Sequence, residues 1–221
     1  FRSSRVVAAG LIAAVAPLGL LIANSDWFFT REGYLDPWNY VGLFREYLDP
    51  DYLPEDYKLA RLPWILSGYV MNSLLAPVTA AYVLHAVFLC ATTLALFVGV
   101  HALFRKPALA AVLALCLGFY TPVHGSGGWD YHNTGAGAFY LVTFAMLAFP
   151  PALAGNRLLL MAAGVLGALA VHTNITMVNL LPALVFVHVS AVRIYRPEHA
   201  AGRTLAARIG WGVVGAVLAT V

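Results

Sequence analysis

Seven long apolar runs, separated by loops whose charges change sign from one loop to the next, restrict this chain to a bundle of membrane helices. The runs cover approximately residues 6–23, 78–103, 108–123, 135–149, 158–171, 175–194 and 209 onward. Several approach the roughly 20 residues needed to cross a bilayer. Nine of the ten acidic residues fall in loops on one side of these runs: Asp26, Glu32, Asp36, Glu46, Asp49, Asp51, Glu55, Asp56 and Asp130. Nine of the thirteen basic residues fall on the other side, which carries one acid, Glu198. Basic residues gather in short cytoplasmic loops. The sorting therefore predicts a cytoplasmic amino terminus and an extracytoplasmic segment 24–77. The orientation fits an integral membrane protein.

Composition agrees with this reading. The chain is 61% hydrophobic and 10% charged, with a mean hydropathy of +0.79, which excludes an ordinary soluble domain. The net charge of +3 does not point to nucleic acid, because the basic residues are spread over loop ends, where topology places them. Cys90 and Cys116 lie inside apolar runs, as small core residues rather than a disulfide framework. The chain opens at Phe1 and closes inside an apolar run, as expected for residues 1–221 forming the amino-terminal transmembrane part of a longer domain.

The runs centred on residues 115, 142 and 165 are short for a full bilayer, which implies local thinning or helix ends recessed beneath a cavity. Pro182 is expected to kink the sixth span. The first outer loop is ordered in character, alternating aromatic, charged and proline residues. Across 37–48, Tyr40, Val41, Phe44, Tyr47 and Leu48 recur at helical spacing, and a second apolar-aromatic helix is expected over about 63–75. Two such helices, too apolar for free solution, are expected to lie at the membrane interface.

Candidate chemistry lies on this outer face. Asp36 precedes Pro37, a pattern that suits a helix cap and equally a general base or metal-coordinating carboxylate facing a cavity. Asp130 is the acid of the Gly-rich second outer loop, GGWDYHNTG; it serves as a turn residue or a helix cap, or it lines a polar cavity. Arg61, and more weakly Lys58, could bind a phosphate or anchor lipid headgroups. Tyr131 and His132 adjoin Asp130 as further binding residues. Asp36, Asp130 and His132 could hold a divalent ion, although no spacing resembles a closed zinc motif. His124 and His172 are also expected outside, where single histidines commonly bond at helix ends. His85, His101 and His188 lie within runs or at their inner ends, as packing residues. No P-loop, dinucleotide fingerprint, GxSxG, HExxH or CxxC occurs.

GYLDPWNYVGLF (33–44), RLPWILSGYV (61–70) and GGWDYHNTGAG (127–137), following a first span, resemble the GT-C superfamily of polytopic glycosyltransferases. The likeness is to the protein-mannosyltransferase and aminoarabinose-transferase kind and extends to about residue 175. It implies an all-helical GT-C-like bundle and inverting transfer of a sugar from a polyprenyl-phosphate donor to a lipid, glycan or protein acceptor in the cell envelope. It also implies that Asp36 is the base and that Asp130 orients the acceptor or a metal, with Arg61 at the leaving phosphate. The chain departs from the family where many members carry paired acids, since Pro37 follows Asp36. The competing expectation is a transporter or a non-catalytic subunit of a larger membrane complex; a transporter predicts polar residues buried mid-span along a pathway.

Overall fold

A computed structural model of the chain describes residues 2–24, 36–49, 61–120 and 132–220, with side chains from residues 4, 38, 61 and 133 onward in those segments. Every regular element among the described residues is helical. In chain order they are α1 (Arg2–Ala23), α2 (Asp36–Glu46), α3 (Leu62–Leu74), α4 (Pro77–Phe104), α5 (Pro107–Gly118), α6 (His132–Ala148), the single turn α7 (Pro150–Leu153), α8 (Arg157–Thr173), α9 (Leu181–Tyr195) and α10 (Gly202–Leu218). Short 3₁₀ segments occupy Ile175–Leu180 and Pro197–His199.

Proline and asparagine set many of the boundaries. Proline stands in the first turn of α3, α4, α5, α7 and α9, where its missing N–H removes no helical bond. Asn156 caps α8 by accepting from the Leu159 N–H at 3.1 Å. At the far end of α4, Arg105 adopts a left-handed φ of 56° and reverses the chain into α5. Within α4, Thr92 and Thr93 donate back to the Phe88 and Leu89 carbonyls at 2.7 and 3.0 Å, so neither hydroxyl requires water.

The long helices alternate in direction, and the contacts define two ends. Leu21 near the close of α1 packs with Tyr40, Phe44, Trp64 and Leu84, which places the starts of α3 and α4 at that end. Asn174, just past α8, donates to Asn133 at the start of α6 at 2.5 Å. This is the aromatic end. At the opposite end the Tyr195 hydroxyl donates to the Leu103 carbonyl, and Arg208 donates to the Ala152 and Leu153 carbonyls. Arg105, Lys106, Arg157, Arg193, Arg196 and Arg203 belong to the same end by connectivity. This is the basic end.

Helix α4 is central, packing on α1, α3, α5 and α6. Half of its most apolar window is buried, against 28% in α1 and 22% across Ile175–Tyr195. The outer helices instead present bare apolar faces: Val7, Leu11, Ile12, Val15 and Ile22 of α1 are each more than half exposed. Faces of this kind suit a lipid solvent, in which helix association rests on close packing rather than on escape from water. Glycines provide that packing where α8 crosses α10. A Cβ on Gly164 would collide with the Gly212 carbonyl, and one on Gly215 with the Met161 carbonyl.

Three helical stretches, Ser4–Ala23, Pro77–Phe104 and Ile175–Tyr195, are long and apolar enough to cross a membrane. Pro107–Gly118, Asn133–Ala148 and Arg157–Thr173 are apolar but shorter. Four expectations need correction. Pro182 does not kink a continuous span: the chain makes a 3₁₀ turn over Ile175–Leu180 and starts a new helix with Pro182 in its first turn, where proline's locked φ is already helical. The last helix begins at Gly202 rather than near residue 209. Arg203 and Arg208 are therefore helical, and Arg208 is buried rather than a loop residue. Cys116 is exposed and Cys90 half-buried, so Cys116 is not a core residue.

Candidate active site

The site is built from α3 upward. Its first turn carries Trp64 and Ile65, both completely buried, and Arg61 immediately precedes it. Trp64 stacks edge-on against Phe44 of α2 at 5.9 Å between ring centroids and tilts over Phe88 of α4 at 5.4 Å. Phe44 in turn lies against Gly68, where a Cβ would meet its ring. The aromatic spacing that predicted two helices in the first outer loop is therefore the spacing that docks them together and onto α4. Aromatic pairs of this geometry add about 0.5–1.5 kcal/mol each beyond area burial.

Arg61 sits just before α3 and donates from its guanidinium to the Tyr40 hydroxyl, while lying 5.9 Å over the Tyr40 ring. Tyr40 is almost wholly buried. Helix α2 opens at Asp36, one turn ahead of Tyr40, so the two positions share a helix face by register. The start of α6 meets the same place. A Cβ on Gly135 would come within 2.8 Å of the Trp64 ring and 3.6 Å of Thr173. The Asn133–Asn174 bond, together with Asn174 accepting from the Thr176 N–H at 3.0 Å, ties the end of α8 to the start of α6.

The structure thus gathers the opening of α2, Arg61, the opening of α6 and the close of α8 at the aromatic end. Arg61 meets Tyr40, one helical turn after the backbone position of Asp36. His132 opens α6, and His172 lies in the last turn of α8. The side chains of Asp36 and His132 lie outside the described residues, as do Lys58, His124, Asp130 and Tyr131. The possible metal set Asp36, Asp130 and His132 therefore falls outside them as well. Among the described residues no three His, Cys, Asp or Glu side chains cluster to hold a metal.

Beside this junction an open cleft of about 490 Å³ runs between Phe44 and Arg45 of α2 and Tyr69, Asn72 and Ser73 of α3, reaching Pro77. Asn72 donates to the Gly68 carbonyl at 3.0 Å, and its Oδ1 has no partner. Arg45 pairs at 3.3 Å with Glu46 on the exposed rim. The arrangement offers hydrogen-bonding groups, a fixed guanidinium and aromatic walls at one surface of an apolar bundle. Chemically it suits a polar headgroup presented at a membrane face.

Sequence reasoning missed Tyr40 as the partner of Arg61 and the Asn133–Asn174 tie. Tyr40 was legible only as one of several aromatics at helical spacing. The asparagines are far apart in sequence, and no local pattern links them. Comparison with protein-family models, with characterised proteins and with solved structures returns no match to this chain.

Proposed function

We infer that this chain belongs to a membrane glycosyltransferase that moves a sugar from a polyprenyl-phosphate donor to an extracytoplasmic acceptor. The observation that carries the reading is the convergence at the aromatic end of Arg61, the helix start bearing Asp36 and the helix start that follows Asp130. Seven spans with a cytoplasmic amino terminus in a bacterial inner membrane would set this end at the outer leaflet, where a lipid-linked donor presents its sugar.

In this reading Asp36 withdraws the proton from the acceptor hydroxyl or amine as that group attacks the anomeric carbon. The bond to polyprenyl phosphate breaks with inversion. Arg61, anchored by Tyr40, holds the departing phosphate. Asp130, Lys58, Tyr131 and His132 contribute from the loops around the site, and a divalent ion could join Asp36, Asp130 and His132. The cleft along Tyr69 and Asn72 gives room for the polar part of a substrate.

The test is transfer of labelled sugar from a polyprenyl-phosphate donor by the full-length protein in membranes. Asp36→Asn should fold, because Asn also starts helices well, and should lose about 100- to 10,000-fold in rate, the usual contribution of a general base. Full activity in the folded variant overturns the assignment and moves the subunit or transporter reading ahead. The orientation is tested separately. Asp51→Cys should react with a membrane-impermeant maleimide from the extracytoplasmic side, and labelling only from the cytoplasm removes the topology and the site with it.

A further inference from the structure

The basic end contains a polar group that the proposed chemistry does not use. Arg208, on the first turns of α10, is 3% exposed. One guanidinium nitrogen, Nη2, donates to both the Ala152 and Leu153 carbonyls at 2.5 Å, closing off the end of α7. Its other two nitrogens, Nε and Nη1, are buried without a partner. Close by, His188 of α9 is 4% exposed and donates from Nδ1 to the Leu147 carbonyl at 3.0 Å. That bond leaves Nε2, an acceptor in the neutral ring and a donor in the protonated one, also buried and unpartnered.

Both residues line one cavity of about 340 Å³ between α6, α8, α9 and α10, within the roughly 300–1,000 Å³ span of small-molecule pockets. The rest of the lining is overwhelmingly apolar, including Leu160, Leu184, Val185 and Val213, and no acid borders it. The cavity persists because α9 packs on α6 and α7, whereas α10 packs on α8. Val185 and Val213 on its rim are both substantially exposed, so it opens sideways along the bundle rather than through an end. Arg157 over the Trp211 ring at 5.3 Å, with Arg193, Arg196 and Arg203 nearby in the chain, makes this end cationic.

We propose that this groove is a binding site for one anionic membrane phospholipid, its phosphate held by the unpartnered Nε and Nη1 groups of Arg208 and one acyl chain lying along the apolar wall. The chemistry selects that occupant. A buried guanidinium with two unpartnered nitrogens and no carboxylate calls for an anion. The long apolar lining calls for a chain attached to it, which excludes a soluble phosphate, sugar phosphate or nucleotide. Basic pockets between membrane helices are the general setting for anionic headgroups. The site lies at the opposite end from Asp36 and Arg61 and does not depend on the transferase reading. It requires only that the bundle be embedded in lipid.

The test is native mass spectrometry of the 221-residue chain released from mild detergent. The protein is offered equal amounts of phosphatidylglycerol and phosphatidylcholine with matched acyl chains. One phosphatidylglycerol should be retained with about a five- to tenfold preference. Arg208→Gln keeps a donor for the α7 carbonyls but removes the charge, and should abolish the preference; Arg208→Lys should keep most of it. Val185→Trp, which fills the groove and leaves Arg208 untouched, should lower retention of both lipids. Equal retention of the two lipids by the wild type overturns the proposal, as does an unchanged preference in folded Arg208→Gln. Lipid-free dimers, or equal thermal stabilisation by inorganic phosphate, overturn it as well. Should Arg208→Gln fail to fold, unchanged retention in Val185→Trp is by itself decisive against it.

Discussion

Two arginines at opposite ends of the bundle are held in opposite ways. Arg61 at the aromatic end is half-buried, faces a tyrosine ring and donates to that tyrosine's hydroxyl. Arg208 at the basic end is buried among backbone and apolar side chains, with two nitrogens unmatched. Arg61 lies against Tyr40, part of a cluster of large rings that fill space with Phe44, Trp64 and Phe88. Around Arg208 the neighbours are small or aliphatic, and they leave a groove. The difference shows how a membrane bundle can present a cation. Rings at an interface cover its flank and keep the head available to a polar surface. Inside the helix layer, only carbonyls freed by a broken helix can satisfy it, and a remainder is left for a ligand.

If the aromatic end depends on ring packing, emptying its centre should be the most damaging single change. Trp64→Ala removes a completely buried ring in contact with both Phe44 and Phe88, and should cost about 4 kcal/mol. Thermal unfolding in a fixed detergent will read the loss, together with separation of α2 from α3 in hydrogen exchange. The basic end should instead be broken through its glycines. Gly164→Leu drives a side chain into the Gly212 carbonyl and should cost about 3 kcal/mol. Protection should be lost first where α8 crosses α10, with the ring cluster of α2, α3 and α4 still folded. A uniform loss of protection in either variant would erase the distinction between the ends.

Smaller changes sharpen the contrast. Tyr40→Phe keeps the ring under Arg61 but removes its hydroxyl acceptor, and should cost about 1.5 kcal/mol, the low end for a bond to a charged group. If Arg61 serves a substrate phosphate, the same variant should weaken donor binding more than stability. Donor titration by tryptophan fluorescence against the wild type distinguishes the two. The smallest effect is expected at the exposed cap of α8. Asn156→Ala removes the acceptor for the Leu159 N–H and should cost about 0.5 kcal/mol. The loss should appear as fraying of the first turn of α8 rather than a shift of the whole transition.

Periodicity was enough to read an all-helical chain with long apolar helices, and to place the aromatic helices at Asp36–Glu46 and Leu62–Leu74. That signal depends only on spacing along the chain, 3.6 residues per turn for the faces. Boundaries were less legible where a local rule had two outcomes. Pro182 could kink a helix or start one, and the neighbouring 3₁₀ turn selected the start. Arg203 and Arg208 lie where a basic loop and a helix's first turns look alike, and the apolar run alone marked too late a beginning for α10.

What the sequence determined by itself was therefore the helical class and the apolar character of its long helices. Only the tertiary structure decided the pairings. Asn133 with Asn174, Tyr40 with Arg61, Gly164 against Gly212, and Arg208 over the end of α7 each join residues well separated along the chain. The physical reason is that membrane helices gain little from burying apolar surface against each other, because lipid is equally apolar. Specificity then rests on shape and on a few polar contacts across helices, and these depend on which faces meet. A buried arginine could be recognised only after α7, α9 and α10 had closed around it.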